Sequence, residues 1–596
     1  RVIWCFLKPM NQALRTMEFM SATETLSAPI QAQESQWRLW HRPTGAPVIW
    51  AQEDCSELNL MQNGKDEIVK KLLSQSLLVL FLLVCSISAT GLTAPDLDFA
   101  DPYVPVVIRQ ADGTLVKTSH TGFVSKHEAL APLAVVTDYL KNSNGMALSA
   151  GRTGLTVSLE RPAFELETPE LTAFLQEGVE FQLNATPVMG APMLNLRGLE
   201  KFLHIAIEQA QPGQPLIVQK LPDTAAAKPA RQLQAKRPPF KPNGKISLVW
   251  DHVLAEQADL AREEKIPGLT VISPTWFAVT DSRGTVASRA EWKYVQDAHD
   301  KGYKVWPLIS NSFDPDMTKA FLADEAAQDR AIRQLLLFTA LYDLDGINID
   351  FENVYDDDKD RLTSFVARLT DKLRQQGMVM SIDATIPSGV PMWSNCYDRA
   401  ALGKIVDYFM VMTYDEHWRT SPVAGSVASL GWVERGIQST LQYVPKEKLL
   451  MGVPFYTREW RETDLGNGRV LVRASTMWMN DVENRIAQHG LTPRWLDSAG
   501  QHYIEYADDD YRYKVWIEDA KSLGLKVELA NKYQLAGVAA WRKGFEKEGI
   551  WSTIQLALGQ PASPAAVDPF AAELADWSLK SLMQKAKQLE KKGASE

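Results

Sequence analysis

The residues of this chain best equipped for chemistry lie in one run, Leu344-Asp345-Gly346-Ile347-Asn348-Ile349-Asp350-Phe351-Glu352-Asn353. Read as a strand, it alternates faces. Ile347, Ile349 and Phe351 point one way, and Gly346, Asn348, Asp350 and Glu352 point the other. Two acids stacked on one strand face repel each other, and an interior position adds a desolvation cost. A fold tolerates that arrangement when the acids do chemistry. The competing reading is a calcium loop or a solvated acidic turn. It suits the following Asp356-Asp357-Asp358 but not a run so rich in β-branched and aromatic residues.

The elements that must position these acids follow Gly244, where strand and helix patterns alternate as in βα units around a parallel sheet. The pattern predicts strands over Ile246–Trp250, Val271–Phe277, Lys304–Ile309, Gly346–Glu352, Val379–Asp383, Tyr408–Tyr414, Leu449–Tyr456 and Ala536–Trp541, with helices over Ala326–Leu341 and Asp360–Gln376. Eight strands in roughly 300 residues fit an α/β fold, a (β/α)₈ TIM barrel with active residues at the C-terminal strand ends. The alternative is a doubly wound open sheet, but no Gly-rich phosphate loop follows an early strand. Glu352, Tyr414-Asp415, Tyr456 and Trp541 fall at strand ends, and Trp250, Trp276 and Trp306 end or approach the ends of the first three. Aromatics at several strand ends beside an acidic cluster suggest stacking surfaces for pyranose rings. Any single one is equally explained by core or lid packing. The residues thus point to a carbohydrate-cleaving barrel.

The run from Asp345 to Glu352 resembles the signature of glycoside hydrolase family 18. So do Ser273-Pro274-Thr275-Trp276-Phe277, Ala298-His299, the stretch Val411–Trp418 and Gly537–Arg542, in the expected order over roughly residues 244–556. Together they are similar to a bacterial branch of spore-cortex-lytic and peptidoglycan-directed N-acetylglucosaminidases. The resemblance implies that Glu352 is the general acid and that the substrate's own 2-acetamido oxygen, not a second carboxylate, attacks the anomeric carbon. It implies that Asp350 holds the acetamido N–H and disfavours ionisation of Glu352. Tyr414, alongside Met412, would hold the acetamido oxygen, and Trp541 would floor the sugar being cleaved. Asn348, Asp415, Trp276 and Tyr456 complete the expected substrate contacts. The family often has Asp where this chain has Asn348, which leaves the tuning of Asp350 open. Asp345 is expected to serve a turn, Asp383 to orient Asp350 or cap a turn, and Arg542 to pair with a rim acid. No metal ligand set and no cofactor are expected. His417 lacks a second ligand at suitable spacing, as do His120, His127 and His204.

The rest of the chain carries weaker signals. The composition is 45% hydrophobic and 23% charged, ordinary for a globular protein of 596 residues, and the net charge of -10 argues against a nucleic-acid partner. Residues 1–60 start without Met and show no periodicity, and they read as a misassigned extension. From Met61, a basic stretch, the apolar run Leu77–Val84 and small residues around Ala89-Thr90-Gly91 resemble a signal peptide over 61–94. Export is expected, with an uncleaved membrane anchor as the alternative. Cys5, Cys55 and Cys85 all precede residue 90, so only Cys396 belongs to the later chain and no internal disulfide is expected.

Residues 95–221 read as a small α+β accessory domain that spaces or binds. Glu128–Leu140 and Ala191–Leu203 look like two copies of one strand–turn–helix unit, faintly similar to stalk repeats named after the copper amine oxidase N-terminal domain, with no copper or oxidase activity implied. A Pro- and Ala-rich linker over 222–243 precedes the barrel at 244–558. The connection 457–534 is too long for a βα loop and reads as an inserted α+β lobe. A linker and a basic C-terminal helix follow from 559.

Function therefore reads as an exported hydrolase of β-1,4-linked N-acetylglucosamine polymers, peptidoglycan favoured over chitin, with a polysaccharide as its partner and cell-wall association through the N-terminal domain. The alternatives are a non-catalytic, lectin-like barrel or an envelope-anchoring protein. Deleting residues 95–243 is expected to remove wall binding while sparing hydrolysis of soluble oligosaccharides.

Overall fold

A computed structural model describes residues 101–560, leaving out 141–145, 160–168, 176, 222–237, 255–256 and 509–510. The expected extension, signal peptide, most of the linker and the C-terminal helix lie outside the described residues. No described helix is long and apolar enough to cross a membrane.

Eight parallel strands close into a barrel: β1 (Ile246–Asp251), β2 (Val271–Val279), β3 (Lys304–Val305 and Leu308–Ser310), β4 (Gly346–Asp350), β5 (Val379–Thr385), β6 (Tyr408–Met412), β7 (Leu449–Pro454) and β8 (Gly537–Trp541). Each pairs with its neighbours in sequence, and β8 returns to β1 through Trp250 opposite Trp541. Their residues are buried almost throughout, because helices cover the outside and side chains fill the inside. Closure demands small residues where strands crowd. A Cβ on Gly346 would stand 2.6 Å from the Val379 carbonyl oxygen and 2.9 Å from the Trp306 ring.

The strand faces fall as alternation predicts. Phe351 points outward, stacked on Phe365 at 5.7 Å and edge-on to Phe321 at 6.5 Å. Boundaries differ in instructive ways. The third strand breaks at Trp306-Pro307, since proline supplies no N–H to the ladder. Strand β4 ends at Asp350, so Glu352 stands on the loop beyond it.

Two additions flank the barrel. Ahead of it, Tyr103–Arg109, Leu115–Ser125, Glu128–Pro132, Thr186–Val188, Ala191–Asn195, Ile205–Gln209 and Leu216–Lys220 form a seven-stranded sheet, with a three-stranded sheet beside it. The two look-alike segments meet as antiparallel neighbours, Ala131 opposite Leu194. This region packs on the outer barrel helix Glu325–Leu341. Phe181 meets Phe338 edge-on at 5.8 Å, and Arg333 pairs with Glu177 at 2.7 Å. That helix is buried on both faces as a result.

Between β7 and β8, strands Tyr456–Asp464, Val470–Trp478, Arg494–Leu496, Gln501–Asp508 and Tyr511–Ile517 make a five-stranded sheet. The lobe ends there. The following helix Ala520–Lys532, opened by reciprocal Asp519–Ser522 capping, returns the chain to β8.

Candidate active site

The mouth of the barrel opens into a cleft of about 620 Å³ lined by Asp350, Glu352, Asp383, Met412, Tyr414, Asp415, Tyr456, Trp276 and Trp541. The structure thus brings together eight of the nine site residues expected from sequence, and adds Asp383. The ninth, Asn348, lies below the cleft and is wholly buried. Its Nδ2 donates to Asp383 Oδ1 at 2.9 Å and Ser381 Oγ at 3.1 Å, while its Oδ1 accepts from Trp250 Nε1 at 3.0 Å. Both Nδ2 protons are used and the side chain is wholly buried, so Asn348 supports Asp383 and does not line the cleft.

Asp350 and Asp383 lie on adjacent strands, and among the described residues no cation pairs with either. Burial holds the Asp350 carboxyl well above the usual carboxylate range, and Asp383 adds repulsion. Burial likewise raises Asp383, against the Asn348 hydrogen bond that pulls it down. Their titration belongs to the pair. Asp350 Oδ1 is a buried oxygen with no hydrogen-bond partner among the described residues. Glu352 is raised by burial first, then by Asp350 and Asp415. Burial and these neighbours all favour its protonated form.

Backbone clamps place Glu352 although it lies beyond the strand. Asn311 Nδ2 donates to the Glu352 carbonyl oxygen at 2.7 Å, and the Glu352 N–H donates to Asn311 Oδ1 at 3.1 Å. Tyr397 OH donates to the Phe351 carbonyl oxygen at 2.8 Å. Nothing in the sequence marked Asn311 or Tyr397. They act through the main chain of another segment, and a single strand pattern carries no trace of that.

On the opposite side, burial raises the Tyr414 hydroxyl, with Tyr456 and the acids adding to it. Asp415, at φ 60° in the left-handed region, accepts from Tyr456 OH at 2.7 Å and Arg458 Nη2 at 2.7 Å. Its role is at once a cleft lining and an anchor for the lobe, since Arg458 comes from the lobe's first strand.

Trp541 is half-buried, with its ring 6.0 Å from Trp250 and 5.8 Å from His252. Trp276 is almost buried, its Nε1 donating to Gln257 Oε1 at 2.8 Å. The expectation that Trp306 joins this rim is corrected. It packs at the barrel floor, stacked on Tyr408 at 5.5 Å, because the break in β3 turns it inward early. Exposed Phe313 and Trp393 at the rim were missed by sequence reading, since neither sits on a strand.

The remaining expectations resolve simply. Asp345 sits at the barrel floor, accepting from Lys304 Nζ at 2.9 Å and lying 2.7 Å from His299 Nε2. Arg542 lies over the Phe545 ring at 4.1 Å. His417 Nδ1 is 2.9 Å from the Ser426 carbonyl oxygen. His127 lies 2.7 Å from Asp300 and 3.8 Å from Asp297, a meeting of ligand types that its sequence spacing concealed. Lys126 and Lys293 already pair with those two acids, so the group reads as ion pairs fastening the accessory sheet to the barrel.

A parallel eight-stranded barrel with three buried carboxyls raised at its mouth is an arrangement suited to glycoside hydrolysis. Residues 256–545 match the family described as glycosyl hydrolases family 18 and form a domain of that family. The chain is 29% identical to the uncharacterized glycosylase YvbX of Bacillus subtilis over 299 residues, 48% of this chain and 84% of that one. It is 25% identical to the cortical fragment-lytic enzyme of the same organism over 309 residues, 50% of this chain and 70% of that one. A solved C-terminal domain of a putative chitinase from Desulfitobacterium hafniense DCB-2 aligns at 26% identity and a TM-score of 0.47, covering 53% of this chain and all of that domain.

Proposed function

We infer that the protein is an exported enzyme that cleaves β-1,4 linkages of peptidoglycan by substrate-assisted retaining catalysis. The observation that carries this is the buried, unbonded Asp350 Oδ1 beside the raised Glu352 carboxyl. An oxygen without a partner inside a fold costs about 1–3 kcal/mol, and a substrate N–H removes that cost. Asp350 would accept from the acetamido N–H and stabilise the cationic oxazolinium, while Tyr414 holds the acetamido oxygen. Glu352 would protonate the glycosidic oxygen as its bond to the anomeric carbon breaks and the acetamido oxygen bonds to that carbon. It would then take a proton from the water that opens the ring. Trp541 would floor the reacting sugar, with Phe313 and Trp393 as further stacking surfaces.

The relative named a cortical fragment-lytic enzyme supports peptidoglycan as the polymer. The n-region and apolar run after Met61 support export. The test is to incubate the protein with peptidoglycan and with chitin oligomers and to take masses of the products. N-acetylglucosamine at the new reducing ends of peptidoglycan fragments is expected, and de-N-acetylated glycan should resist cleavage. Equal cleavage of de-N-acetylated glycan would point to an enzymic nucleophile and sink the mechanism.

A further inference from the structure

The cleft is electrically lopsided. Its acids, Asp350, Glu352, Asp383 and Asp415, come from β4, β5 and β6, whereas the wall built from β1 and β2 presents His252 and Arg289. Arg289 follows the short strand Val286–Ser288, which folds back antiparallel on β2. Its main chain is fixed there, its N–H donating to the Trp276 carbonyl oxygen at 2.9 Å. Its guanidinium is exposed and donates to the Leu254 carbonyl oxygen. No carboxylate pairs with it among the described residues. The nearby Asp251 is already engaged by Tyr294 OH at 2.6 Å and lies 3.8 Å from Lys543. Burial, then Arg542, holds the His252 imidazole below its ordinary value, with Asp251 opposing and Arg289 adding a smaller push in the same direction as Arg542. A guanidinium that lines a cleft and pairs with no carboxylate among the described residues is free to meet an anion, and its planar fork suits a carboxylate.

A chitin chain offers no anion. Peptidoglycan glycan alternates N-acetylglucosamine with a muramyl sugar whose O3 carries a lactyl group, free as a carboxylate or extended by a peptide that ends in one. With N-acetylglucosamine seated on Trp541, alternation places a muramyl sugar in the neighbouring position along the cleft, and His252 already abuts Trp541. We propose that Arg289, assisted by His252, forms a carboxylate subsite that selects the muramyl sugar next to the one being cleaved. This rests on the peptidoglycan reading above and assigns the residue that enforces it.

The test compares kcat/KM on three substrates of equal length: peptide-free muramyl glycan, peptide-bearing glycan and chitin oligomer. It uses the wild type, Arg289→Gln and Arg289→Lys. A charge-assisted hydrogen bond is worth about 1.5–3 kcal/mol, so the muramyl-to-chitin ratio should fall roughly 10- to 150-fold in Arg289→Gln. Arg289→Lys should keep part of it, and added salt should lower the wild-type ratio. A fall only with the peptide-free glycan supports recognition of the free lactyl carboxylate, a fall only with the peptide-bearing glycan supports recognition of the stem's carboxylate, and a fall with both supports a guanidinium that meets either one. An unchanged ratio, or an equal loss on all three substrates, overturns the carboxylate subsite and leaves the peptidoglycan reading standing. A wild type that cleaves chitin but no muramyl glycan overturns that reading instead.

Discussion

Two buried acidic sites in this molecule are handled in opposite ways. Glu518, at the seam between the lobe and the barrel, is completely buried and receives four bonds. Lys526 Nζ lies 2.8 and 2.7 Å from its two oxygens, Gln501 Nε2 donates at 2.7 Å and Ser522 Oγ at 2.8 Å. The acids of the barrel mouth are equally deprived of water, yet face other acids and keep an unbonded oxygen. Burial raises all of these carboxyls, but the cation restrains Glu518, while mutual repulsion drives the mouth acids further. Structural carboxylates are satisfied by the protein itself. Those at the mouth are left for something else to satisfy, at a cost in stability that function repays.

The sharpest way to break this contrast is to neutralise the mouth. Glu352→Gln keeps shape and removes the proton donor, so turnover should fall by roughly 10²–10⁴-fold with oligosaccharide binding retained. Reducing-end release and titration calorimetry measure the two quantities, and undiminished turnover would end the assignment. Removing the cation from the other site tests the opposite claim. Lys526→Met strands the Glu518 charge and should cost about 3–5 kcal/mol of stability, largely recovered when Glu518→Leu is added. Thermal melts decide it, and a Lys526→Met protein as stable as wild type would show that the pair is not needed to hold Glu518.

The subtlest test is pH. Because the folded Glu352 carboxyl titrates well above its ordinary 4.5, its contribution to stability is full below that pH and is lost as pH rises toward the folded value. Glu352→Gln should therefore melt a few degrees above wild type at neutral pH, with the gap closing toward pH 4.5. A gap that widens on acidification would reverse the assigned shift.

Most of this contrast was legible in the sequence where neighbouring residues carry it. Alternation from Gly346 to Glu352 placed Phe351 outside and Asp350 at the mouth, and spaced strand patterns returned the barrel. What escaped depends on contacts distant in the chain. Asn348 reads as a cleft residue by its face, yet its depth, two residues below the strand's end at Asp350, gives it to Trp250 and Asp383. Trp306 reads as a strand end because the Pro307 break is invisible to a tally of apolar residues. The lobe's limit at Ile517 was written in the Asp519–Ser522 capping pair, a local signal overlooked beside the long unbroken connection. The exposed wall residue Arg289 belongs to no periodic pattern at all.

The outer helix Glu325–Leu341 has one more consequence. A barrel helix ordinarily keeps a wet side, but here Phe338 stacks on Phe277 of β2 at 5.3 Å and meets Phe181 of the preceding sheet, and Arg333 lies over Phe174 at 5.2 Å. Cut free at residue 243, the barrel would bare this aromatic strip, so the truncated protein is expected to melt lower and scatter more light on heating than the full chain. The hairpin bearing Arg289 adjoins that seam, where Asn184 donates to the Ser288 carbonyl oxygen. That bond lies one residue from Arg289 on the cleft wall.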